Sequence, residues 1–74
     1  MTPDIYSSGA LAQSMLDLFS TPTGYFAVPI SNIDSISYSG KVPGGVNGFP
    51  GGGTEVLVPH PVSISGAKWY PIGP

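Results

Sequence analysis

Between Gly40 and Thr54 the chain reads Gly-Lys-Val-Pro-Gly-Gly-Val-Asn-Gly-Phe-Pro-Gly-Gly-Gly-Thr, seven glycines and two prolines in fifteen positions. Glycine loses the most backbone entropy on ordering and proline removes a ladder donor, so no regular element is expected there. The run is long for a connection inside a compact domain. It reads as an extended, flexible arm whose apolar members, Val42, Val46 and Phe49, are spaced like anchors for a partner surface.

The rest of the chain is too short to offset much disorder. A domain of this length buries only about 60% of the surface its unfolded form exposes, and ordering costs roughly 1.5 kcal/mol per residue. With no cysteine among 74 residues, neither disulfides nor a Cys-rich zinc site can staple it. Eleven Gly and nine Pro point toward low complexity, but 41% apolar residues and a net charge of −2 do not fit intrinsic disorder. The composition is that of a chain ordered by what covers it, with little independent core.

Charge excludes further classes. Lys41 and Lys68 are the only basic residues, and arginine is absent. Nucleic-acid binding draws on Lys and Arg at phosphates, so no nucleic-acid partner is expected. An anionic membrane surface is disfavoured for the same reason, and no apolar run approaches a membrane span. The first residues lack a basic segment followed by an unbroken apolar one, so no signal peptide is expected. The expected location is a virion or a cytoplasmic assembly.

One small α+β domain over residues 1–74 is expected: an N-terminal amphipathic helix, then short antiparallel strands and extended Gly/Pro-rich segments. The helix is placed at 2–20, with Thr2 as cap, Pro3 in the first turn and Asp4 on the favourable dipole end. Ile5, Ala12 and Phe19 recur at seven-residue steps and Leu11, Met15, Leu16 and Leu18 widen that stripe. Ala10, Gln13, Ser14 and Asp17 fall on the opposite, solvent side. Ser7-Ser8-Gly9 offers a later start, with either serine as cap, and Thr21-Pro22-Thr23-Gly24 closes the helix. Residues 25–39 are expected as a hairpin turning near Ser31-Asn32, with Ser35, Ser37 and Ser39 on one face. After the 40–54 arm, 55–74 reads as short strands at Glu55–Val58 and Val62–Ser65 followed by a proline-rich tail.

No chemistry-bearing pattern stands out. Asp4, Asp17, Asp34, Glu55 and His60 do not pair at metal-ligand spacing. His60 lies between two prolines, and no Gly-x-Ser-x-Gly elbow presents a nucleophile. Gly51-Gly52-Gly53 precedes Thr-Glu rather than Lys-Ser/Thr, which is not a phosphate loop. No catalytic, cofactor-binding or metal residue is expected, and no small-molecule substrate. The residues expected to touch a partner are Met15, Leu16, Phe19, Val46, Phe49, Trp69 and Tyr70, since buried aromatic and aliphatic area dominates interfaces.

The composition is similar to that of small accessory proteins of viral particles and phage tails. That likeness implies a non-enzymatic structural subunit held by larger protein subunits, such as a minor capsid or cement protein. A second reading is an adaptor peptide that recruits a proline-recognising domain through Lys68-Trp69-Tyr70-Pro71-Ile72-Gly73-Pro74. A small enzyme is a distant third.

Overall fold

A computed structural model describes all 74 residues as a small α+β protein, one helix and four strands in two antiparallel sheets. The helix, α1, covers Gly9–Leu16 only. Ser8 caps it, its Oγ accepting the Leu11 N–H at 3.1 Å. The later of the two expected starts is therefore the one used, and Thr2, Pro3 and Asp4 are not helical. Long-range bonds explain why. Met1 exchanges backbone bonds with Val56 (3.0 and 2.7 Å), and the Asp4 carboxylate accepts the Thr54 N–H at 2.7 Å. These hold the first residues extended, and Ile5 leaves the helical stripe.

The helix stops well before Thr21. Asp17 takes left-handed dihedrals, φ 50 and ψ 54, while its N–H still donates to the Gln13 carbonyl. The Leu18 N–H donates to that same carbonyl at 3.1 Å, the six-to-one bond of a Schellman end. Gln13 then fixes the exit, its side chain bonding the Leu18 carbonyl and the Thr21 hydroxyl. Phe19 therefore lies beyond the helix and is 90% exposed.

The strands are nested. β1 (Gly24–Ala27) pairs with β4 (Lys68–Pro71), and β2 (Tyr38–Lys41) pairs with β3 (Thr54–Leu57). In both ladders partner numbers add to 95, as for 24 with 71 and 41 with 54. The two sheets thus share one line of pairing, a long hairpin folded about Asn47 and Gly48 and interrupted by segments 28–37 and 58–67. Across that interruption the Asn32 side-chain amide donates to the carbonyls of Ser63 (2.8 Å) and Ser65 (2.9 Å).

The expected 25–39 hairpin does not form. Ile30–Asn32 is a single 3-10 turn, and β1 is paired with the C-terminal residues instead. Cross-strand aromatic pairs stabilise that choice: Phe26 with Trp69, ring centroids 4.9 Å apart, and Tyr25 stacked on Tyr70 at 5.4 Å. The strand expected at Glu55–Val58 is β3, displaced by one residue, whereas Val62–Ser65 is not a strand.

The molecule measures 32 × 26 × 16 Å. Six residues are buried, and the apolar side chains among them are Ala12 and Val42. Three others are glycines, Gly9, Gly51 and Gly53, and the sixth is Asp17. The interior is the seam where the helix meets the glycine-rich loop.

Candidate interaction site

Two features could meet a partner, and both grow from that seam. The first is the loop between β2 and β3. Its neck is closed by Val42 N–H to the Gly53 carbonyl (2.7 Å) and Gly52 N–H to the Val42 carbonyl (3.0 Å), its tip by Gly45 N–H to the Phe49 carbonyl (2.8 Å). Gly51 and Gly53 donate to the Ser14 and Met15 carbonyls, both at 2.9 Å. The last turn of a helix leaves such carbonyls without intrahelical partners. Gly51 is at φ 71, and a Cβ there would lie 2.6 Å from the Val42 carbonyl oxygen. Only glycine permits that approach.

The tip is held by one side chain. The Asp17 carboxylate, 7% exposed, accepts the backbone N–H groups of Val46 (2.9 Å), Asn47 (3.1 and 3.2 Å) and Phe49 (3.1 Å). A carboxylate at a helix C-terminus faces the wrong end of the dipole. Three converging N–H groups compensate that position and satisfy the charge. The placement of Asp17 on the solvent side of the helix is therefore overturned. So is the picture of 40–54 as a free cord: Gly40 and Lys41 belong to β2, Thr54 to β3, and Val42 is buried in its own chain. The loop is a cradle for an anion that the chain itself supplies.

The second feature is an open groove of about 760 Å³ between the N-terminal arm, α1, β1 and the segment after it. Ile5, Leu16, Phe26, Ile30, Ile33 and Ile36 stand along it. Ile5 and Ile30 are more than 80% exposed. Asp4 is the one charged side chain on the wall, and it is already engaged. The Thr54 N–H and the Tyr6 hydroxyl, each 2.7 Å away, hold its pKa below the usual carboxylate value. Partial burial, reinforced by the Asp4 charge, pushes the Tyr6 hydroxyl up to about 12.

Of the seven expected contact residues, the groove contains Leu16 alone. Met15 and Phe49 are half-buried, Met15 beside Gly52 and Phe49 within the clamped loop. Phe19 and Val46 project into solvent. Trp69 and Tyr70 stack on β1, each close to half exposed. Ile30, Ile33 and Ile36 are not among the expected contacts, although their three-residue spacing was an available signal. Lys68 to Pro71 form β4, so the first half of the proline motif is committed to a ladder. His60 is exposed, and nowhere do three His, Asp or Glu side chains converge as a metal site would require. No helix is long and apolar enough to cross a membrane. Compared with protein-family models, curated proteins and solved structures, the chain matches none.

Proposed function

We propose that this chain is a non-enzymatic structural subunit, docked by its apolar groove onto a larger protein of an assembly. The observation that carries this reading is surface. A folded monomer of 7.6 kDa is expected to expose about 4,300 Å², whereas this chain exposes 4991 Å². The excess, about 700 Å², is close to the ~800 Å² that each partner contributes to a standard interface. It is accompanied by unpaired backbone. The fold makes 26 backbone–backbone hydrogen bonds, about half of the roughly 50 expected for its length.

The groove selects the occupant's chemistry. Its side chains are aliphatic and aromatic and its single carboxylate is internally satisfied, so it fits an apolar, uncharged surface of a partner subunit. An isolated chain with so little independent core is stabilised by being covered. A virion, where the chain would act as a minor capsid or cement protein, is the setting its composition fits: six charged side chains, no cysteine, and abundant Ser, Gly and Pro. Thermal unfolding and hydrophobic-dye binding of the isolated chain test the reading. The expected result is a broad, low transition with strong dye binding. A dye-silent monomer that unfolds sharply above about 60 °C, in the upper mesophile range, would overturn it.

A further inference from the structure

We propose that Asn47 is a self-processing modification site, and that its conversion to aspartate or isoaspartate unlatches the loop. The reaction is intramolecular imide formation followed by hydrolysis. The Gly48 backbone nitrogen attacks Asn47 Cγ; the new N–Cγ bond forms as the Cγ–Nδ2 bond breaks, and the Gly48 amide proton leaves with the side-chain amine as ammonia. Water then opens the five-membered imide. Cleavage at Cγ gives an ordinary aspartate at this position, and cleavage at the main-chain carbonyl gives isoaspartate, with the backbone rerouted through Cβ. The net change consumes one water and releases one ammonia, and needs no other reactant.

Three features place this chemistry at Asn47. First, the attacking residue is glycine, without a side chain to obstruct ring closure, and it occupies the exposed tip at φ 85. Second, the N–H groups of Val46, Asn47 and Phe49 are all engaged by Asp17, while that of Gly48 has no acceptor. The one free amide nitrogen in the tip is the nucleophile the reaction needs. Third, Asn47 is exposed, so water reaches the imide. The tip does not line the apolar groove, so it stays accessible when a partner covers that face.

The consequence follows from what the carboxamide does now. Asn47 Nδ2 donates to the Asp17 carbonyl oxygen at 2.8 Å. An aspartate in its place replaces that donor with oxygens facing a carbonyl, and sets a second negative charge beside the Asp17 carboxylate. Isoaspartate also lengthens the main chain between the N–H groups of Asn47 and Phe49, so they no longer converge on one carboxylate. Either product opposes the clamp.

Asn32, the other asparagine, is an internal control. It precedes Ile33, whose N–H is already engaged by the Ile30 carbonyl at 3.0 Å, and it is half-buried. The test is peptide mapping of the full chain aged for weeks at neutral pH, with hydrogen exchange read in parallel. Asn47 is expected to convert to a mixture dominated by isoaspartate while Asn32 stays intact. The aged fraction and the variant Asn47→Asp are expected to lose amide protection at Val46, Asn47 and Phe49, and Asn47→Gln, which cannot close the five-membered ring, to keep its tip protected on ageing. Conversion of Asn47 no faster than Asn32, or full tip protection in Asn47→Asp, would overturn the proposal.

Discussion

Asp17 and Asn47 hold each other at two points: the Asn47 backbone N–H lies 3.1 and 3.2 Å from the two Asp17 carboxylate oxygens, and its side-chain amide 2.8 Å from the Asp17 carbonyl. Helix end and loop tip are thereby one unit. A single bond to a charged acceptor contributes about 1.5–3 kcal/mol, so Asp17→Ala is expected to destabilise the fold by at least that much. Asp17→Gly should be milder by roughly 1–2 kcal/mol, because glycine takes the left-handed φ without a Cβ penalty. Equal losses in denaturant unfolding would mean that the carboxylate alone, and not the backbone turn, sets the cost.

The clamp also decides where proteases cut. Despite its six glycines, the loop should resist cleavage in the wild-type chain, because its neck and tip are both bonded. In Asp17→Ala it should become the first site cut. Limited proteolysis with mass mapping reads this directly, and cleavage of both proteins at the same rate between Gly44 and Pro50 would refute the clamp.

How much of this was legible in the sequence depends on range. The Ser8 cap, α1 around Ala12 and the break imposed by the 42–53 loop have local causes, and local patterns reveal them. Asp17 did not, since a helical wheel assigns it to solvent and no sequence rule marks an aspartate as the left-handed end residue. The pairing of Phe26 with Trp69 was hidden for a related reason. Their partners are set by a register spanning most of the chain, while the turn-forming residues near Asn32 imitate a short hairpin. The groove was missed because Ile5 was counted in the helix and Ile30, Ile33 and Ile36 were absorbed into the expected 25–39 hairpin.

Trp69 offers a check on that long-range ladder. Its ring packs on Phe26 across the strands, and such pairs contribute about 0.5–1.5 kcal/mol beyond the area they bury. Trp69→Ala should lower stability by at least that amount, whereas Trp69→Phe should retain most of it. If Trp69→Ala unfolds at the wild-type midpoint, β4 does not hold the ribbon closed.

Asp4 and Tyr6 set the pH limits of the N-terminal arm. Asp4 has a lowered pKa in the fold, so its contribution is fully present above its ordinary value of 3.8 and is lost as pH falls through the lowered one. Tyr6 is raised from 10.0 to about 12, so its contribution is fully present below 10 and is lost as pH rises toward 12. Asp4→Asn should flatten the acid limb of the stability profile and Tyr6→Phe the alkaline limb. An unchanged acid limb in Asp4→Asn would show that the Thr54 contact does not fix the arm.

The groove separates residues that build the fold from residues that serve a partner, and Leu16 and Ile30 lie on opposite sides of that division. Leu16 is half-buried in the last turn of α1, beneath the N-terminal arm, so a carboxylate there must either stay desolvated or expel its neighbours. Leu16→Asp should therefore lower the unfolding midpoint of the isolated chain. Ile30 is 82% exposed on the groove rim, so Ile30→Asp should leave the stability within about 0.5 kcal/mol of wild type. It should also reduce dye binding and self-association, because it removes apolar surface that only a partner would cover. In a reconstituted assembly Ile30→Asp should fail to incorporate despite being folded. Incorporation of Ile30→Asp at wild-type occupancy would place the docking surface elsewhere, with the exposed Phe19 and Val46 as the next positions to substitute.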